Sequence, residues 1–94
     1  MIVAVDFDGT LWDGKKVNEP LLLRLAAEQR RGNPVILWTC REGGSLKTAL
    51  DILSRHGFRP SSVNQNAPAA VSMLGGNPRK IYADIYIDDK AVRP

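Results

Sequence analysis

The chain has a single cysteine, Cys40, among its 94 residues, which excludes an internal disulfide. A lone thiol is compatible with a reducing compartment, so we expect a cytoplasmic protein. No apolar run approaches the roughly 18 residues that a membrane-spanning helix needs, so we expect no membrane partner. The short apolar run at the N-terminus has no basic region before it, and we therefore expect no secretory signal.

Positive charge is only mildly in excess, since 13 Lys and Arg residues against 10 Asp and Glu residues give a net charge of +3. This excess would attract phosphorylated ligands, but it is too small to indicate nucleic-acid binding by itself. The sequence also lacks internal repeats and low-complexity segments. Its length and ordinary composition predict one domain that spans residues 1–94.

Apolar runs and helical patterns alternate along the chain. Strands are predicted at 2–5, 34–39 and 81–87, with a weaker strand at 62–64. Helices are predicted from 18 to about 31, from 45 to 57 and, as a short element, from 66 to 75, and Ser45 is the expected cap of the second helix. Asp13-Gly14 predicts a hairpin turn after the first strand. This alternation predicts an α/β fold with right-handed crossovers and a parallel sheet of about four strands.

Two carboxylates, Asp6 and Asp8, directly follow the first apolar run. Residues i and i+2 of an extended backbone point to the same side, so both side chains are expected to face one site. Carboxylates that close repel each other unless a cation or a shared proton lies between them. One could act as a nucleophile and the other as a general acid/base on a phosphate. Gly9 would let the backbone turn towards a ligand, and Thr10 would supply a hydroxyl, although an ordinary Asp-rich turn is the alternative.

Thr39 and Asp88 also end predicted strands. If the first strand is central, with the second strand on one side and the last on the other, the strand order reverses beside it. Ligands of open α/β sheets bind at such a switch point, outside the carboxyl ends of the strands. We therefore expect Asp6, Thr39 and Asp88 to converge at one edge of the sheet.

Residues 6–10, DFDGT, resemble the first motif of the haloacid dehalogenase (HAD) superfamily of phosphotransferases. Residues 36–39, ILWT, are similar to its second motif, and residues 85–89, IYIDD, to its fourth. The stretches 37–42 and 83–89 look especially like small, capless HAD-like proteins of bacteria and phages. The resemblance implies a minimal Rossmann-like, three-layer sandwich around the parallel sheet, and the gaps between the motifs are too short for a cap domain.

The resemblance also implies a Mg²⁺-dependent phosphomonoesterase that works through an aspartyl-phosphate. Asp6 would be the nucleophile, while Asp8 would protonate the leaving oxygen and later deprotonate water. Mg²⁺, which prefers oxygen ligands, would be held by Asp6, the backbone carbonyl of Asp8, and Asp89 or Asp88. Asp89 is the favoured direct ligand of the two.

Three further groups are implied at the phosphate. Thr39 would hold the transferring phosphoryl group through its hydroxyl. Arg41 could make a bidentate contact with phosphate, or it could be a surface cation paired with Glu42. The lysine of the third motif usually precedes a helix, whereas Lys80 lies directly before the last strand; Lys80 is nevertheless the expected equivalent, with Arg79 in reserve.

Trp12, in the predicted hairpin, could stack on a substrate base or sugar, or it could pack the hairpin down. The uncapped site, the basic chain and this tryptophan together predict a nucleotide or a phosphorylated nucleic-acid end as substrate. Three other residues are interpreted as structural: Asp84 at the far end of the last strand, His56 at a helix C-terminus, and Cys40 as a small buried residue.

Two other classes of function remain open. One is a phosphorelay receiver-like module that keeps its phosphate, and the other is a catalytically degenerate binding protein of a phage or bacterium. The acidic pair of a receiver is adjacent and its phosphorylated Asp lies on another strand, whereas Asp6 and Asp8 belong to one strand. This spacing favours the enzyme. Nothing in the sequence indicates an oligomer.

Overall fold

The computed structural model describes residues 1–65 and 82–88 and the backbone of 92–93. In chain order its elements are β1 (Val3–Val5), α1 (Glu19–Arg30), β2 (Val35–Leu37), α2 (Gly43–Arg55), β3 (Ser62–Val63), β4 (Ile85–Ile87) and β5 (Val92–Arg93). The sheet has the order β3-β2-β1-β4-β5, in which the first four strands are parallel and β5 is antiparallel to β4. The predicted α/β class and four parallel strands are confirmed, and β5 is an addition that the sequence did not predict.

The first strand is central, as predicted. Val5 is paired with Leu37 of β2 on one side and with Ile87 of β4 on the other. The chain therefore builds the sheet outwards from β1 to β2 and β3, and then returns to the opposite side of β1. The carboxyl ends of β1, β2 and β4 meet at one edge, which is the switch point where ligands of such sheets bind.

The two faces of the sheet carry separate apolar clusters, because successive strand residues point to opposite sides. Val3 and Val5 face the cluster that contains the buried leucines of α1 and α2, so both of these helices pack on one face. Ala4 and Ile36 face the other cluster. The predicted short helix at 66–75 lies outside the described residues. No cap domain and no helix long and apolar enough to cross a membrane occur in the part of the chain that the structure describes.

Helix α1 follows its local sequence signals closely. The Asn18 side chain accepts a hydrogen bond from the Leu21 backbone N–H at 3.3 Å and caps the first turn, which also holds Pro20. At the other end Gly32 adopts a φ of 86°, a left-handed conformation that ends helices readily in glycine. The helix bounds lie within one or two residues of the prediction.

Helix α2 begins at Gly43, two residues before the predicted cap Ser45, so that the expectation for Ser45 was wrong. The N-cap is Glu42, whose side chain makes no capping hydrogen bond. Ser45 lies in the first turn, and its hydroxyl donates to the Glu42 carbonyl at 3.2 Å. His56 is the C-cap residue, as expected, and its Nδ1 lies 3.2 Å from a carboxylate oxygen of Glu19 at the start of α1.

The predicted hairpin turn is present between β1 and α1. Trp12 is bridged to Val17 in antiparallel fashion, and Gly14 has a φ of 96°. The Asp13 carboxylate accepts hydrogen bonds from the backbone N–H groups of Lys15 and Lys16, both at 2.7 Å. These bonds hold the pKa of Asp13 below its ordinary value, so the turn is fixed by an ionised side chain.

Strand β4 is shorter than predicted because residues 82–84 are not part of the ladder. The Asp84 carboxylate accepts a hydrogen bond from the Ile2 backbone N–H at 2.6 Å, and the Asp84 N–H donates to the Ile2 carbonyl at 2.8 Å. Asp84 thus joins the entry of β4 to the entry of β1. It lies at the end of the sheet opposite to the carboxyl edge, in the structural position that the sequence predicted.

Candidate active site

Asp6 is fixed at the carboxyl end of the central strand. Its backbone N–H donates to the Ile87 carbonyl at 2.9 Å, so the pairing with β4 continues one residue past β1. The Asp6 carboxylate accepts a hydrogen bond from the Phe7 backbone N–H at 2.8 Å, and the residue is half-buried. A carboxylate oriented in this way at an open sheet edge is suited to attack a ligand that approaches from outside.

The chain turns sharply after Asp6 around the buried ring of Phe7. The Phe7 carbonyl accepts hydrogen bonds from the backbone N–H groups of three successive residues, Thr10, Leu11 and Trp12. Gly9 has a φ of 81°, which confirms the expected need for glycine there. The Thr10 hydroxyl oxygen is shielded from solvent and has no hydrogen-bond partner among the described residues, and its contact with a ligand stays a prediction.

Asp8 and Arg41 form a bidentate ion pair across the site. Arg41 Nε lies 2.9 Å from one carboxylate oxygen of Asp8, and Nη2 lies 2.8 Å from the other. Arg41 also donates from Nη1 to the Ser45 carbonyl at 3.1 Å, and its Cζ lies 4.8 Å from the centre of the Phe7 ring. The sequence left open a phosphate contact or a pair with Glu42; the structure shows that the anionic partner is Asp8.

The ion pair sets the protonation state of Asp8. The hydrogen bonds from Arg41, more than its charge at a distance, hold the pKa of Asp8 below the ordinary value of 3.8. The same contact raises the pKa of Arg41. Asp8 is therefore a carboxylate at neutral pH, which is the form of a general base, and it must lose Arg41 before it can carry a proton as a general acid.

Thr39 is held at the end of β2 by Asn64, a residue that the sequence analysis did not select. The Thr39 N–H donates to the Asn64 side-chain oxygen at 2.8 Å, and the Asn64 side-chain nitrogen donates to the Thr39 carbonyl at 2.9 Å. The Asn64 N–H also donates to the Leu37 carbonyl at 2.9 Å. Asn64 has a φ of 52°, a conformation that Asn tolerates better than most residues. Its position at the end of the predicted weak strand was the signal that could have found it.

The Thr39 side chain lies next to the ion pair. Its Oγ1 accepts a hydrogen bond from the Arg41 backbone N–H at 3.1 Å, and Thr39 is buried. Thr39, Arg41 and Asp8 are thus joined by direct contacts at the carboxyl edge. Cys40, between Thr39 and Arg41, is exposed rather than buried, so the expectation of a small core residue was wrong; the loop after β2 turns this side chain away from the core.

Asp88 follows β4 in the position that matches Asp6 after β1. Because Val5 is in register with Ile87, Asp6 and Asp88 are neighbours on adjacent strands, and Asp88 is half-buried. Asp89, the favoured metal ligand, lies outside the described residues. Within residues 1–65 and 82–88 no group of three or more His, Cys, Asp or Glu side chains is arranged to hold a metal ion.

Trp12 packs the hairpin onto the core. Its ring is nearly parallel to the ring of Phe7, with an angle of 13° and a centroid distance of 6.2 Å. The side chain is half-buried, and its remaining surface lines a groove beside the site. The packing role is therefore present, and stacking on a ligand remains a prediction.

Comparison with known proteins gives one relative of known structure. No family model matches the chain, and no curated protein matches it. A solved structure, described as that of the conserved protein coded by a locus from Bacteroides thetaiotaomicron, is 30% identical to the chain. It superimposes with a TM-score of 0.80 over 97% of this chain and 77% of its own. The chain belongs to the same family as this Bacteroides protein.

This relationship supports the fold and leaves the reaction open. The shared core includes nearly all of the present chain, so the minimal Rossmann-like sandwich is a property of the family. The description of the Bacteroides protein names no activity, substrate or cofactor. The chemistry must therefore be argued from the carboxyl edge itself.

The predicted site residues fall into three groups. The structure describes Asp6, Asp8, Thr39, Arg41 and Asp88, all of which follow strands that end at the same edge. It also describes Gly9, Thr10 and Trp12, which lie in the turn and hairpin after β1. Lys80, its reserve Arg79, and Asp89 lie outside the described residues, and their assignments remain predictions.

Proposed function

We propose that the chain is a Mg²⁺-dependent phosphomonoesterase of the HAD type, with Asp6 as the nucleophile. The observation that carries this proposal is the arrangement at the carboxyl edge of the sheet. Asp6 lies at the end of the central strand, and Asp88 lies beside it at the end of the neighbouring strand. The Asp8–Arg41 ion pair and Thr39 lie at the same edge of the sheet. The resemblance of the motifs to HAD phosphotransferases supports the same assignment.

The residues present fit a magnesium ion by the chemistry of their donor atoms. The proposed ligands are the Asp6 carboxylate, the backbone carbonyl of Asp8, and Asp89 or Asp88, and all of these donors are oxygens, as Mg²⁺ prefers. Asp6 and Asp88 are already neighbours on adjacent strands. When bound, the ion would neutralise phosphate oxygens.

The reaction would proceed in two displacements. The Asp6 carboxylate attacks phosphorus, and the bond to the leaving oxygen breaks as Asp8 gives that oxygen a proton. Asp8 then takes a proton from water, whose attack on the aspartyl-phosphate releases inorganic phosphate and restores Asp6. The Thr39 hydroxyl would hold the transferring group, and Lys80, or Arg79 in its place, would balance the negative charge.

Arg41 would change its partner when the substrate binds. A phosphate dianion can accept the same bidentate hydrogen bonds that Asp8 accepts in the free protein. Once Arg41 contacts phosphate, the cause of the low pKa of Asp8 is removed, and the carboxyl group can carry the proton that the leaving oxygen needs.

The test is release of inorganic phosphate from p-nitrophenyl phosphate and from a panel of nucleotides, with Mg²⁺ and with EDTA. Turnover that requires both Mg²⁺ and Asp6 is the expected result. Phosphate release that is equal in the Asp6→Asn protein would overturn the proposal. Stoichiometric phosphorylation without release would favour a receiver-like module, and no reaction with any substrate would favour a binding protein.

The proposed substrate is a nucleotide or a phosphorylated nucleic-acid end. No cap covers the site among the described residues, and the chain is mildly basic, so a bulky anionic substrate can reach Asp6. A cytoplasmic location belongs to the same proposal, because a lone exposed thiol stays reduced there.

A further inference from the structure

A groove of about 820 Å³ adjoins the candidate active site. Gly9 and Thr10 line one side of it, and the end of α2, with Ile52 and Arg55, lines the other. Its volume falls within the range of about 300–1,000 Å³ that is typical of ligand sites. Since Gly9 directly follows Asp8 in the chain, the groove begins beside the candidate catalytic carboxylates and extends away from them.

The groove offers an aromatic and apolar surface to a ligand. Trp12 stacks on Phe7 and contributes its remaining surface to the groove, together with Val17 and Ile52. The stacking on Phe7 fixes the indole, so little conformational freedom would be lost when a ligand packs against it. A planar group such as a nucleic-acid base is the ligand that uses a fixed aromatic surface best.

Three cations and two carboxylates line the groove, so its formal charge is positive. Lys15 and Lys16 come from the hairpin and Arg55 from α2, and none of the three forms an ion pair within the described part of the chain. The two acidic residues of the lining have partners of their own. Asp13 accepts the backbone N–H groups of the hairpin, and Glu19 pairs with the imidazole at the end of α2.

We propose that the groove binds the single-stranded end of a nucleic acid, and this inference rests on the proposed function for the position of the terminal phosphate at Asp6. The first base would stack on Trp12, and the following phosphodiesters would lie near Lys15, Lys16 and Arg55. A mononucleotide places its phosphate at Asp6 and brings no phosphodiester to these three cations. A longer single-stranded nucleic acid places phosphodiesters near all three cations. For this reason the groove favours a nucleic-acid end over a free nucleotide.

The test is the affinity of the Asp6→Asn protein, which cannot turn over, for a 5′-phosphorylated single-stranded octanucleotide between 50 and 200 mM salt. The slope of log affinity against log salt is about −0.7 for each phosphate contact to a single strand. Replacing Lys15 and Lys16 by Gln should therefore weaken binding and make the slope shallower by about 1.4. A phosphorylated mononucleotide should bind more weakly and be unaffected by the double replacement.

The matched control is the double replacement of Arg24 and Lys47 by Gln. Both are exposed cations on α1 and α2 outside the groove, and the change in net charge is the same. This control should keep the affinity of the Asp6→Asn protein for the octanucleotide and the same slope of log affinity against log salt. Equal losses in the two double variants would show that net charge alone attracts the strand, and would overturn the inference.

Trp12 is tested without replacing it, because its loss could unfold the hairpin. In a Trp38→Phe background, which removes the other, half-exposed tryptophan, the fluorescence of Trp12 should be quenched when the octanucleotide binds. An unchanged signal at saturation would contradict stacking in the groove.

The outcomes separate this inference from the phosphatase proposal. Groove-dependent binding of the octanucleotide without phosphate release from any substrate would reject the enzyme and support the groove. Hydrolysis of p-nitrophenyl phosphate, with the octanucleotide bound no better than a mononucleotide, would support the enzyme and overturn the groove.

Discussion

Asp6 is the residue on which the proposed chemistry depends, and its replacement by Asn is the most direct test. The amide keeps an oxygen that can accept the Phe7 N–H bond, so the local fold should persist. The amide oxygen cannot act as the attacking carboxylate, and turnover should be lost. Phosphate release and circular dichroism measure the two effects. Activity above a few per cent of the parent value, with an unchanged spectrum, would reject Asp6 as the nucleophile.

Replacement of Asp8 by Asn should lower turnover on the order of 10²–10⁴-fold, the usual contribution of a general acid/base. The loss should depend on the leaving group. p-Nitrophenolate leaves without a proton, whereas an alkoxide needs one, so alkyl phosphates should suffer more. A comparison of kcat for the two substrate types measures the difference. Equal losses would assign Asp8 a role other than proton transfer.

The pKa of Asp8 should rise towards 3.8 when Arg41 is replaced by Gln, because the hydrogen bonds from Arg41 are the main cause of its low value. A carboxyl with a pKa depressed by folding stabilises the native state above its unfolded pKa, and this stabilisation is lost as pH falls through the native value. The parent protein should therefore lose stability more steeply than Arg41→Gln below about pH 4.

The effect on stability should be small, since the Asp8 side chain is 54% exposed and solvent screens the pair. Titration of the carboxyl ¹³C shift gives the pKa directly, and Asp13, held by backbone N–H groups, is an internal control that should not move. An Asp8 titration that is the same in both proteins would show that the ion pair does not form in solution.

At the scale of the elements, the Thr39–Asn64 pairing joins the ends of β2 and β3. Asn64→Ala would leave the Thr39 N–H and carbonyl without partners, and would keep a β-carbon in a left-handed backbone without the polar side chain that lets Asn adopt it. We expect a loss of about 1–3 kcal/mol in the free energy of unfolding, measured in urea. Asn64→Gly loses the same hydrogen bonds but tolerates the positive φ. It should be the more stable of the two variants, and equal stability would show that the backbone conformation carries no cost.

The elements show which features can be predicted from local sequence. Helix α1 is delimited by Asn18 and Gly32, whose effects act within one helical turn, and its bounds were predicted closely. The start of α2 was not: Ser45 is a residue type that caps helices, but the helix begins two residues earlier and the Ser45 hydroxyl donates to the Glu42 carbonyl inside the first turn. The start of β4 was missed for a different reason: Asp84 bonds to Ile2, 82 positions away, and no local pattern indicates that bond.

The site divides in the same way. Asp6, Asp8 and Thr39 were selected because each follows an apolar run that predicts a strand. The bond from Asn64 to Thr39 joins residues 25 positions apart, and the pair of Arg41 with Asp8 joins residues 33 apart. Such partners depend on the register of the finished sheet. A polar residue that follows a predicted strand therefore indicates that its side chain lies at the sheet edge. The residue to which it hydrogen-bonds depends on which strand is its neighbour in the sheet.

At the scale of the whole molecule, the order of the strands accounts for the convergence of the site. β1 is flanked by β2 and β4, so residues far apart in the chain end at the same edge. The same arrangement places both described helices on one face, and the groove opens where their ends meet the hairpin. A small sheet thereby presents carboxylates at its edge and cations beside it, as the proposed binding of a phosphorylated nucleic-acid end requires.

A bound metal ion should stabilise the whole molecule, because its proposed ligands come from two strands and exist together only in the folded chain. An ion that binds only the native state at 100 times its Kd adds about 2.7 kcal/mol to the free energy of unfolding. For a domain of this size, each kcal/mol raises Tm by about 4–8 °C. Mg²⁺ should therefore raise the Tm of the parent protein by about 10 °C or more, while NaCl at equal ionic strength should not.

The two acids after β4 can be ranked by the same measurement. Asp89→Ala should move the midpoint of the Mg²⁺ titration to higher concentration and lower the activity, which should partly return at high Mg²⁺, because the variant lacks one direct ligand. Asp88→Ala should show the smaller shift, and Asp51→Ala, an exposed carboxylate on α2, should show none. A larger shift for Asp88→Ala would make Asp88 the direct ligand. A Tm that Mg²⁺ leaves unchanged in the parent protein would reject the metal site.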